Sequence, residues 1–280
     1  MMEGKICLIT GANSGIGKET AKALAKMNAT VVMLCINKER GEKAQKQIIN
    51  QTGNKNVDLI LCDLSSPVSI RKFVSEFKNK YQNLHVLINN AGVMLKKRTL
   101  SVDGFDVNFA VHLFGPFLLT NLLLDLLKRS APSRIINVAS AAHKRAKIDF
   151  EDLQSKSNKY SLFRVYGISK LGTVLFTYEL SRKLEGTGVT ANAVHPGLVN
   201  TNLGRDQSKF SQWFARKFFK SPEEGAETSI YLASSPEVEG ITGKYFIDKE
   251  PRLSSEESYN EEYAKRLWEI CEEMTGMKSS

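Results

Sequence analysis

The segment Lys5–Met27 reads KICLITGANSGIGKETAKALAKM: a short apolar run, a glycine-rich turn and a stretch with helical periodicity. Glycines let the backbone turn tightly and let a pyrophosphate approach the first amides of the following helix. Such a turn alone is also compatible with an ordinary loop. Its position between an N-terminal strand and a helix favours dinucleotide binding. The predicted phosphate-binding residues are Gly11, Asn13, Ser14, Gly15, Ile16 and Gly17.

The alternation of apolar runs and helical patterns continues along the whole chain. Strands are predicted at Lys5–Thr10, Thr30–Cys35, Val57–Leu61, His85–Asn89, Arg134–Ala139, Val189–Val194 and Lys244–Asp248. Helices are predicted at Gly15–Met27, Lys38–Gln51, Pro67–Lys80, Gly104–Lys128, Tyr166–Leu184 and Pro222–Ser234, with a C-terminal helix at about 256–274. This pattern is typical of a doubly wound α/β fold, a mostly parallel sheet with helices on both faces. Ligands of such sheets bind beyond the carboxyl ends of the strands, where strand order reverses.

Composition limits the class of protein. The 280 residues are 42% hydrophobic and 25% charged, as expected for a soluble globular chain, and no linker or repeat divides it. We therefore expect one domain, residues 1–280. The net charge of +9 comes from scattered lysines without an RNA-stacking or helix-turn-helix signature, so we expect a solvated surface and no nucleic-acid partner.

The four cysteines predict neither a disulfide framework nor a metal site. They are far apart in the chain, lack CxxC spacing and mostly lie in apolar, strand-like runs. The sequence contains no apolar stretch of membrane-spanning length and no signal peptide before the first strand. The expected location is therefore the cytosol.

The residues after the second predicted strand should select the cofactor. A carboxylate there binds the adenosine ribose of NAD, whereas a basic side chain accommodates the 2′-phosphate of NADP. This chain has Ile36, Asn37, Lys38, Glu39 and Arg40 at that point. Lys38 or Arg40 could reach a phosphate, or both could be solvated residues of the first helical turn. The pattern favours NADP over NAD.

Tyr166 and Lys170 are four residues apart in a predicted helix and so share one face. An ammonium beside a phenol favours the phenolate, which makes tyrosine usable as an acid or base near neutral pH. Ser140 ends the fifth predicted strand, where its hydroxyl could polarise a substrate carbonyl or simply cap a turn. We predict that these three residues form the catalytic site.

At this point the sequence resembles the short-chain dehydrogenase/reductase family along nearly its full length. The matching motifs are Thr10–Gly17, Asp63-Leu64, Asn89-Asn90-Ala91-Gly92, Ser140, Tyr166 with Lys170, and Pro196-Gly197 followed by Thr201. The resemblance implies a seven-stranded Rossmann-type sheet and hydride transfer with a nicotinamide cofactor. It implies that Tyr166 is the acid/base, Lys170 lowers its pKa and Ser140 orients the substrate oxygen. It also assigns further cofactor contacts to Asp63, Leu64, Asn90, Ala91, Gly92, Pro196, Gly197, Val199 and Thr201.

Within the family the chain is most similar to retinol dehydrogenase-type members, for example in Asn137–His143 and in the 26-residue spacing from Ser140 to Tyr166. Three features depart from that subgroup. His112 stands where an asparagine usually holds a water of a proton relay, and it could serve the relay or merely pack. Ile36 stands where NADP-preferring relatives carry arginine. We also expect no N-terminal membrane anchor of the kind that several animal relatives carry.

Residues 202–221 correspond to the family's substrate lid. Within them, 209–220 (KFSQWFARKFFK) contain five aromatic and four basic side chains. This segment could cover a lipophilic substrate, rest on an anionic membrane or pack on the body of the protein. Relatives are often dimers or tetramers built on the long helices, and here Gly104–Lys128 and Tyr166–Leu184 are apolar enough to permit a homodimer or homotetramer.

These observations together predict an NAD(P)(H)-dependent oxidoreductase acting on a lipophilic alcohol, aldehyde or ketone. The alternative is a non-catalytic nucleotide-binding sensor or scaffold that retains the fold, since fold alone does not establish function.

Overall fold

A computed structural model describes residues 2–154, 160–199 and 219–277. In this part of the chain, eight strands form one sheet in the order β3-β2-β1-β4-β5-β6-β7-β8. The strands are β1 (Ile6–Thr10), β2 (Thr30–Cys35), β3 (Val57–Leu61), β4 (Val86–Asn89), β5 (Ser133–Val138), β6 (Val189–His195), β7 (Tyr245–Ile247) and β8 (Glu250–Arg252). All neighbours pair in parallel except β7 and β8.

Helices cover both faces of the sheet. They are α1 (Gly15–Lys26), α2 (Lys38–Thr52), α3 (Pro67–Lys80), α4 (Val107–Phe109), α5 (Gly115–Leu122), α6 (Leu124–Arg129), α7 (Leu162–Lys183), α8 (Pro222–Ser234) and α9 (Glu261–Thr275). Alternate residues of β1 point to opposite faces: Leu8 joins one apolar cluster, and Cys7 and Ile9 join another. The two layers of core explain why the strands read as continuous apolar runs.

The sheet confirms the predicted Rossmann-type architecture, but it has eight described strands rather than seven. The additional strand β8 forms an antiparallel hairpin with β7 through Asp248 and Lys249, whose φ angles are 51° and 66°. Such a turn usually contains glycine or asparagine, and this one has neither. Pro251 also lies in β8, as is possible only at a sheet edge.

The predicted helix Gly104–Lys128 is divided into shorter helices by a π-helical turn at Ala110–Phe114. Pro116 follows that turn and has no N–H to donate to the carbonyl of His112, four residues earlier. The Thr173 hydroxyl of α7 lies 3.1 Å from this carbonyl and shares its one proton between it and the Ser169 carbonyl, also at 3.1 Å. The proline thus explains the break, and α7 satisfies the backbone group that the break releases.

The C-terminal segment covers the outer face of α5 and α7. It begins as a 3₁₀ turn at Glu256–Tyr259 and continues as α9, so the predicted helix at 256–274 is divided at Asn260, which caps α9. Trp268 packs on Phe117 and Phe176, with ring centroids 4.8 and 5.9 Å away. The described helices include none that is long and apolar enough to cross a membrane.

Candidate active site

The glycine-rich turn connects β1 to α1 at the point where strand order reverses. Gly11 and Gly15 have φ angles of 68° and 54°, a conformation that other residues rarely adopt. Ser14 precedes the first turn of α1, and within the described residues its side chain caps no amide there. The first amides of α1 therefore face the cleft with the positive end of the helix dipole behind them, as an anionic phosphate requires.

Thr10 joins this turn to the chain after β4. Its buried hydroxyl accepts hydrogen bonds from the amides of Asn90 and Ala91, both at 2.9 Å. The Asn90 side chain donates back to the Thr10 carbonyl at 2.8 Å. A Cβ atom on Gly17 would collide with the side-chain nitrogen of Asn90 and lie 2.6 Å from the Gly11 carbonyl oxygen. The two loops thus fit together only because residue 17 is glycine.

The residues after β2 and β3 border the same edge of the sheet. One Asp63 carboxylate oxygen accepts from the amide of Ser65 at 2.8 Å and from its hydroxyl at 2.7 Å, which fixes the carboxylate beside buried Leu64. Ile36 is 68% exposed. The Lys38 side chain is 73% exposed and lies 3.9 Å from Glu42, a distance at which exposed charges interact weakly.

Ser140, Tyr166 and Lys170 come together at the carboxyl end of β5. Ser140 begins the 3₁₀ turn Ala141–Arg145, and its hydroxyl also accepts from the Ala142 amide at 3.2 Å. Ser140 also lies close enough to Tyr166 of α7 for its side chain to lower the pKa of the phenol, although burial raises that pKa more. Gly167 permits this approach, because a Cβ there would lie 3.1 Å from the Ala142 carbonyl.

Burial controls the charge of the Tyr166–Lys170 pair. The Lys170 ammonium donates to the Val138 carbonyl at 2.8 Å and lies 5.8 Å from the centre of the Tyr166 ring. Burial lowers the pKa of Lys170 to about 7. Burial also raises the pKa of Tyr166, and the Ser140 side chain only partly opposes it. The protein alone therefore favours a protonated phenol, and a lowered pKa requires additional positive charge in the cleft.

His112 lies in the π-helical turn, edge-on to Tyr166 with ring centroids 5.4 Å apart. Its Nε2 accepts from the Val93 amide at 3.0 Å, so the proton is on Nδ1, 2.9 Å from the Ser169 hydroxyl. Ser169 in turn donates to the Tyr166 carbonyl at 2.8 Å. Burial, reinforced by Lys170, holds the pKa of His112 well below its usual value. Both ring nitrogens of this neutral imidazole are thus engaged.

Thr10 and Ser169 contribute to the site, although the sequence pattern assigned neither of them a role. Each holds a predicted site residue through its hydroxyl, Thr10 at the glycine-rich turn and Ser169 at Tyr166. The position of Ser169, one turn after Tyr166 on the same helix, was the signal that could have identified it.

The loop after β6 lies beside the N-terminus of α1. Gly197 has a φ of 87°, and the Lys220 side chain packs against it. A Cβ on Gly225 of α8 would meet Val199 at 2.5 Å and Ile16 at 3.2 Å, so this loop, α8 and α1 converge. Thr201 and most of the 202–221 segment, including 209–218, lie outside the described residues.

The arrangement fits a dinucleotide cofactor. The uncapped amides of α1 suit a pyrophosphate, Asp63 keeps a second carboxylate oxygen for an adenine amine, and Lys170 suits ribose hydroxyls. Most of the predicted cofactor residues border this edge of the sheet: Gly11, Asn13, Ser14, Gly15, Ile16, Gly17, Lys38, Asp63, Leu64, Asn90, Ala91, Gly92, Tyr166, Lys170, Pro196, Gly197 and Val199.

The chain is similar to known proteins in sequence and in fold. The sequence profile of the family described as short chain dehydrogenase matches residues 5–212. Retinol dehydrogenase 14 of Mus musculus is 45% identical, over 99% of this chain and 87% of that protein. Retinol dehydrogenase 11 of Homo sapiens is 44% identical, over 99% and 87%. A crystal structure of an uncharacterised protein from Mycobacterium paratuberculosis is 32% identical, with a TM-score of 0.81 over 98% of this chain and 94% of that one.

Replacing Thr10 by valine should open the cofactor cleft. Valine has the same shape but no hydroxyl, so the amides of Asn90 and Ala91 lose their acceptor, at a cost of about 2 kcal/mol. We expect the dissociation constant of the cofactor, measured by fluorescence titration, to rise about tenfold or more. Thr10→Ser keeps the acceptor and is the control. Equal binding by the valine and serine variants would show that the hydroxyl does not organise the cleft.

Proposed function

The chain belongs to the short-chain dehydrogenases, and we propose that it transfers hydride between NADP(H) and a lipophilic alcohol, aldehyde or ketone of the retinol type. It is an NAD(P)-dependent oxidoreductase that acts on CH–OH groups. The observation that carries the proposed hydride transfer is the convergence of Ser140, Tyr166 and Lys170 at the carboxyl end of β5. No observation on the described residues favours the alternative of a non-catalytic sensor or scaffold.

Each catalytic side chain has a role that follows from its environment. The nicotinamide, when bound, supplies or accepts the hydride. In the reductive direction the buried Tyr166 phenol, whose pKa is raised, keeps a proton to donate to the substrate oxygen. The Ser140 hydroxyl donates to the same oxygen and stabilises the charge that develops there. Lys170, held by Val138, supports Tyr166 electrostatically and is placed to bind ribose hydroxyls.

Three features support NADP(H) as the preferred cofactor. Residues 36–38, directly after β2, include no carboxylate, although Ile36 stands where NADP-preferring relatives carry arginine. Asn37 caps α2 by accepting from the Arg40 amide at 2.9 Å, which holds the basic first turn at the edge of the cleft. The exposed Lys38 ammonium is weakly paired, so a 2′-phosphate can recruit it at little cost.

Apolar residues around the catalytic group support a lipophilic substrate. Phe163 lies one turn before Tyr166 on α7 and is 75% exposed. Leu198, in the loop after β6, is 65% exposed. Two exposed large apolar side chains, one of them a single helical turn from Tyr166, are consistent with a hydrophobic ligand surface. The names of the curated relatives point to retinol as the type of substrate.

We assign to His112 the support of Tyr166 rather than transfer of a proton. Its two nitrogens bridge the Val93 amide and the Ser169 hydroxyl, which bonds to the Tyr166 backbone. The imidazole thereby fixes the first turns of α7 relative to the loop after β4. Of the two roles that the sequence left open for His112, this arrangement supports packing combined with orientation.

Partners and location remain predictions. The proposed membrane contact through 209–220 depends largely on residues outside the described part of the chain. A homodimer or homotetramer built on α5 and α7 would have to accommodate α9, because Trp268 packs on Phe117 and Phe176.

We retain the cytosol as the proposed location. All four cysteines lie in the described residues and are buried free thiols, in keeping with a reducing compartment.

Replacing Tyr166 by phenylalanine should abolish turnover, because only the proton donor is removed. We expect a fall in kcat of about a hundredfold or more, while the cofactor dissociation constant changes less than about threefold. The measurement is NADPH oxidation with retinal and other lipophilic aldehydes, combined with cofactor titration. Retention of turnover by this variant would remove Tyr166 from the proposed role.

Replacing Lys38 by alanine should weaken NADPH binding selectively. Loss of one charged hydrogen bond predicts a rise of about tenfold in the KM for NADPH, with the KM for NADH unchanged. Arg40→Ala is the matched variant, since its side chain is the other cation within reach. A selective effect of Arg40→Ala would reassign the phosphate contact to that residue. If neither variant distinguished the two cofactors, the proposed NADP preference would be wrong.

Replacing His112 by asparagine should reduce kcat about tenfold, because one short amide cannot span both the Val93 amide and Ser169. Ser169→Ala removes the same link to Tyr166 and should cause a comparable loss. Steady-state kinetics of both variants test the assignment. A gain of turnover in His112→Asn would instead indicate that histidine impairs a proton relay at this position.

A further inference from the structure

A second buried histidine holds the backbone of Ser140. His143 is 0% exposed, and its Nδ1 lies 2.6 Å from the Ser140 carbonyl oxygen. Because a carbonyl can only accept, Nδ1 carries the proton and donates it. Nε2 accepts from the amide of Ser255 at 3.1 Å. His143 is therefore neutral, with both nitrogens used, and burial lowers its pKa in agreement with that state.

The surroundings of His143 fix its ring. It packs on Tyr245 of β7 with ring centroids 4.9 Å apart. Ser255 belongs to the C-terminal segment, which is anchored where the Ser254 hydroxyl bonds to those of Tyr178 at 2.8 Å and Ser258 at 2.6 Å. The imidazole thus joins the end of β5 to a segment 112 residues further along the chain.

The peptide after Ser140 is held from its other side as well. The amide of Ala141 donates to Nδ1 of His195, which ends β6, at 3.3 Å. The carbonyl of Ser140 and the amide of Ala141 belong to one planar peptide group. Two imidazoles, those of His143 and His195, therefore restrict rotation of the peptide that follows the catalytic serine.

We propose that His143 is a positioning residue for Ser140, linking its carbonyl to the Ser255 amide and so setting the direction in which the Ser140 hydroxyl meets the substrate oxygen. This inference rests on the proposed role of Ser140 in the reaction. As a positioning residue, His143 acts through Ser140 and does not need to contact substrate or cofactor. The C-terminal segment thereby becomes part of the support of the active site.

Two pairs of variants separate the two bonds of His143. Glutamine places its amide near the position of Nε2, so His143→Gln keeps the side-chain contact with Ser255 and loses the side-chain contact with Ser140, while the backbone amide of residue 143 still donates to the Ser140 carbonyl at 3.2 Å. Asparagine approximates Nδ1, so His143→Asn does the reverse. Ser255 has a φ of −72°, which proline tolerates, and Ser255→Pro therefore deletes the amide donor. Ser255→Ala keeps that donor and is the control.

The expected results follow from a misdirected hydroxyl, since misplacing a reacting group by about 1 Å can cost a hundredfold in rate. We expect His143→Gln to lower kcat at least tenfold, and His143→Asn and Ser255→Pro to lower it about threefold. Ser255→Ala should match the unmodified protein, and the dissociation constant for NADPH should not change in any of the four. Thermal unfolding of each variant identifies those that fold, and the Ser255 pair carries the test if His143→Gln does not.

The decisive measurement is a double-mutant cycle with Ser140→Ala. If His143 acts through the Ser140 hydroxyl, His143→Gln should cause no further loss of kcat once that hydroxyl is absent. An equal loss in both backgrounds, or full turnover by folded His143→Gln, would overturn the positioning role. Full turnover by Ser140→Ala alone would instead contradict the proposed function of Ser140, so the two failures are distinguishable.

Discussion

The hydrogen bonds from the amides of Asn90 and Ala91 to the Thr10 hydroxyl hold together the two loops that leave β1 and β4. These strands are neighbours in the sheet, but the chain continues from them in opposite directions across it. The crevice that results exposes the first amides of α1 on one side. The Asn90 side chain donates to the Thr10 carbonyl within this crevice. Residue 17 must be glycine, because a Cβ atom there would collide with the Asn90 side chain. The positions of the cofactor and of the catalytic residues depend on these hydrogen bonds between the two loops.

Burial determines the chemistry on the other side of the crevice. Tyr166 and Lys170 lie on α7, where burial disfavours both the phenolate and the ammonium. The charge of an oxidised nicotinamide would reverse this balance for Tyr166, so the state of the acid/base is coupled to the state of the cofactor. Neutral imidazoles brace this region, with His112 behind Tyr166 and His143 behind Ser140. Each donates and accepts one structural hydrogen bond, which orients a side chain without adding charge.

The sequence predicted most strands and helices well, because each has its own local pattern of apolar residues. Apolar runs located seven strands to within about one residue at most ends, and the glycines of residues 11–17 located the turn between β1 and α1. The interruption of the predicted helix Gly104–Lys128 near Pro116 could have been predicted from the proline, but the continuous apolar pattern around it favoured one long helix. Strand β8 could not be predicted, because its turn uses Asp248 and Lys249 in place of glycine.

The candidate site was predictable where motifs are short and not where partners are distant in sequence. Ser140, Tyr166 and Lys170 follow from strand ends and helical spacing. The contacts of His143 do not, since its partner Ser255 is 112 residues away and is joined through a backbone amide that any residue except proline carries. For His112 the sequence left two roles open, and only the positions of Val93 and Ser169 show that both ring nitrogens are engaged.

The proposed transfer of hydride by this chain to a lipophilic carbonyl is tested most directly by following deuterium from the cofactor into the product. The protein is incubated with retinal and with NADPH carrying deuterium at the transferable C4 position, and the product alcohol is analysed by mass spectrometry. We expect one deuterium on the carbinol carbon of each product molecule. Tight binding of NADPH without deuterium in any alcohol, across retinal and a panel of other lipophilic aldehydes and ketones, would contradict it.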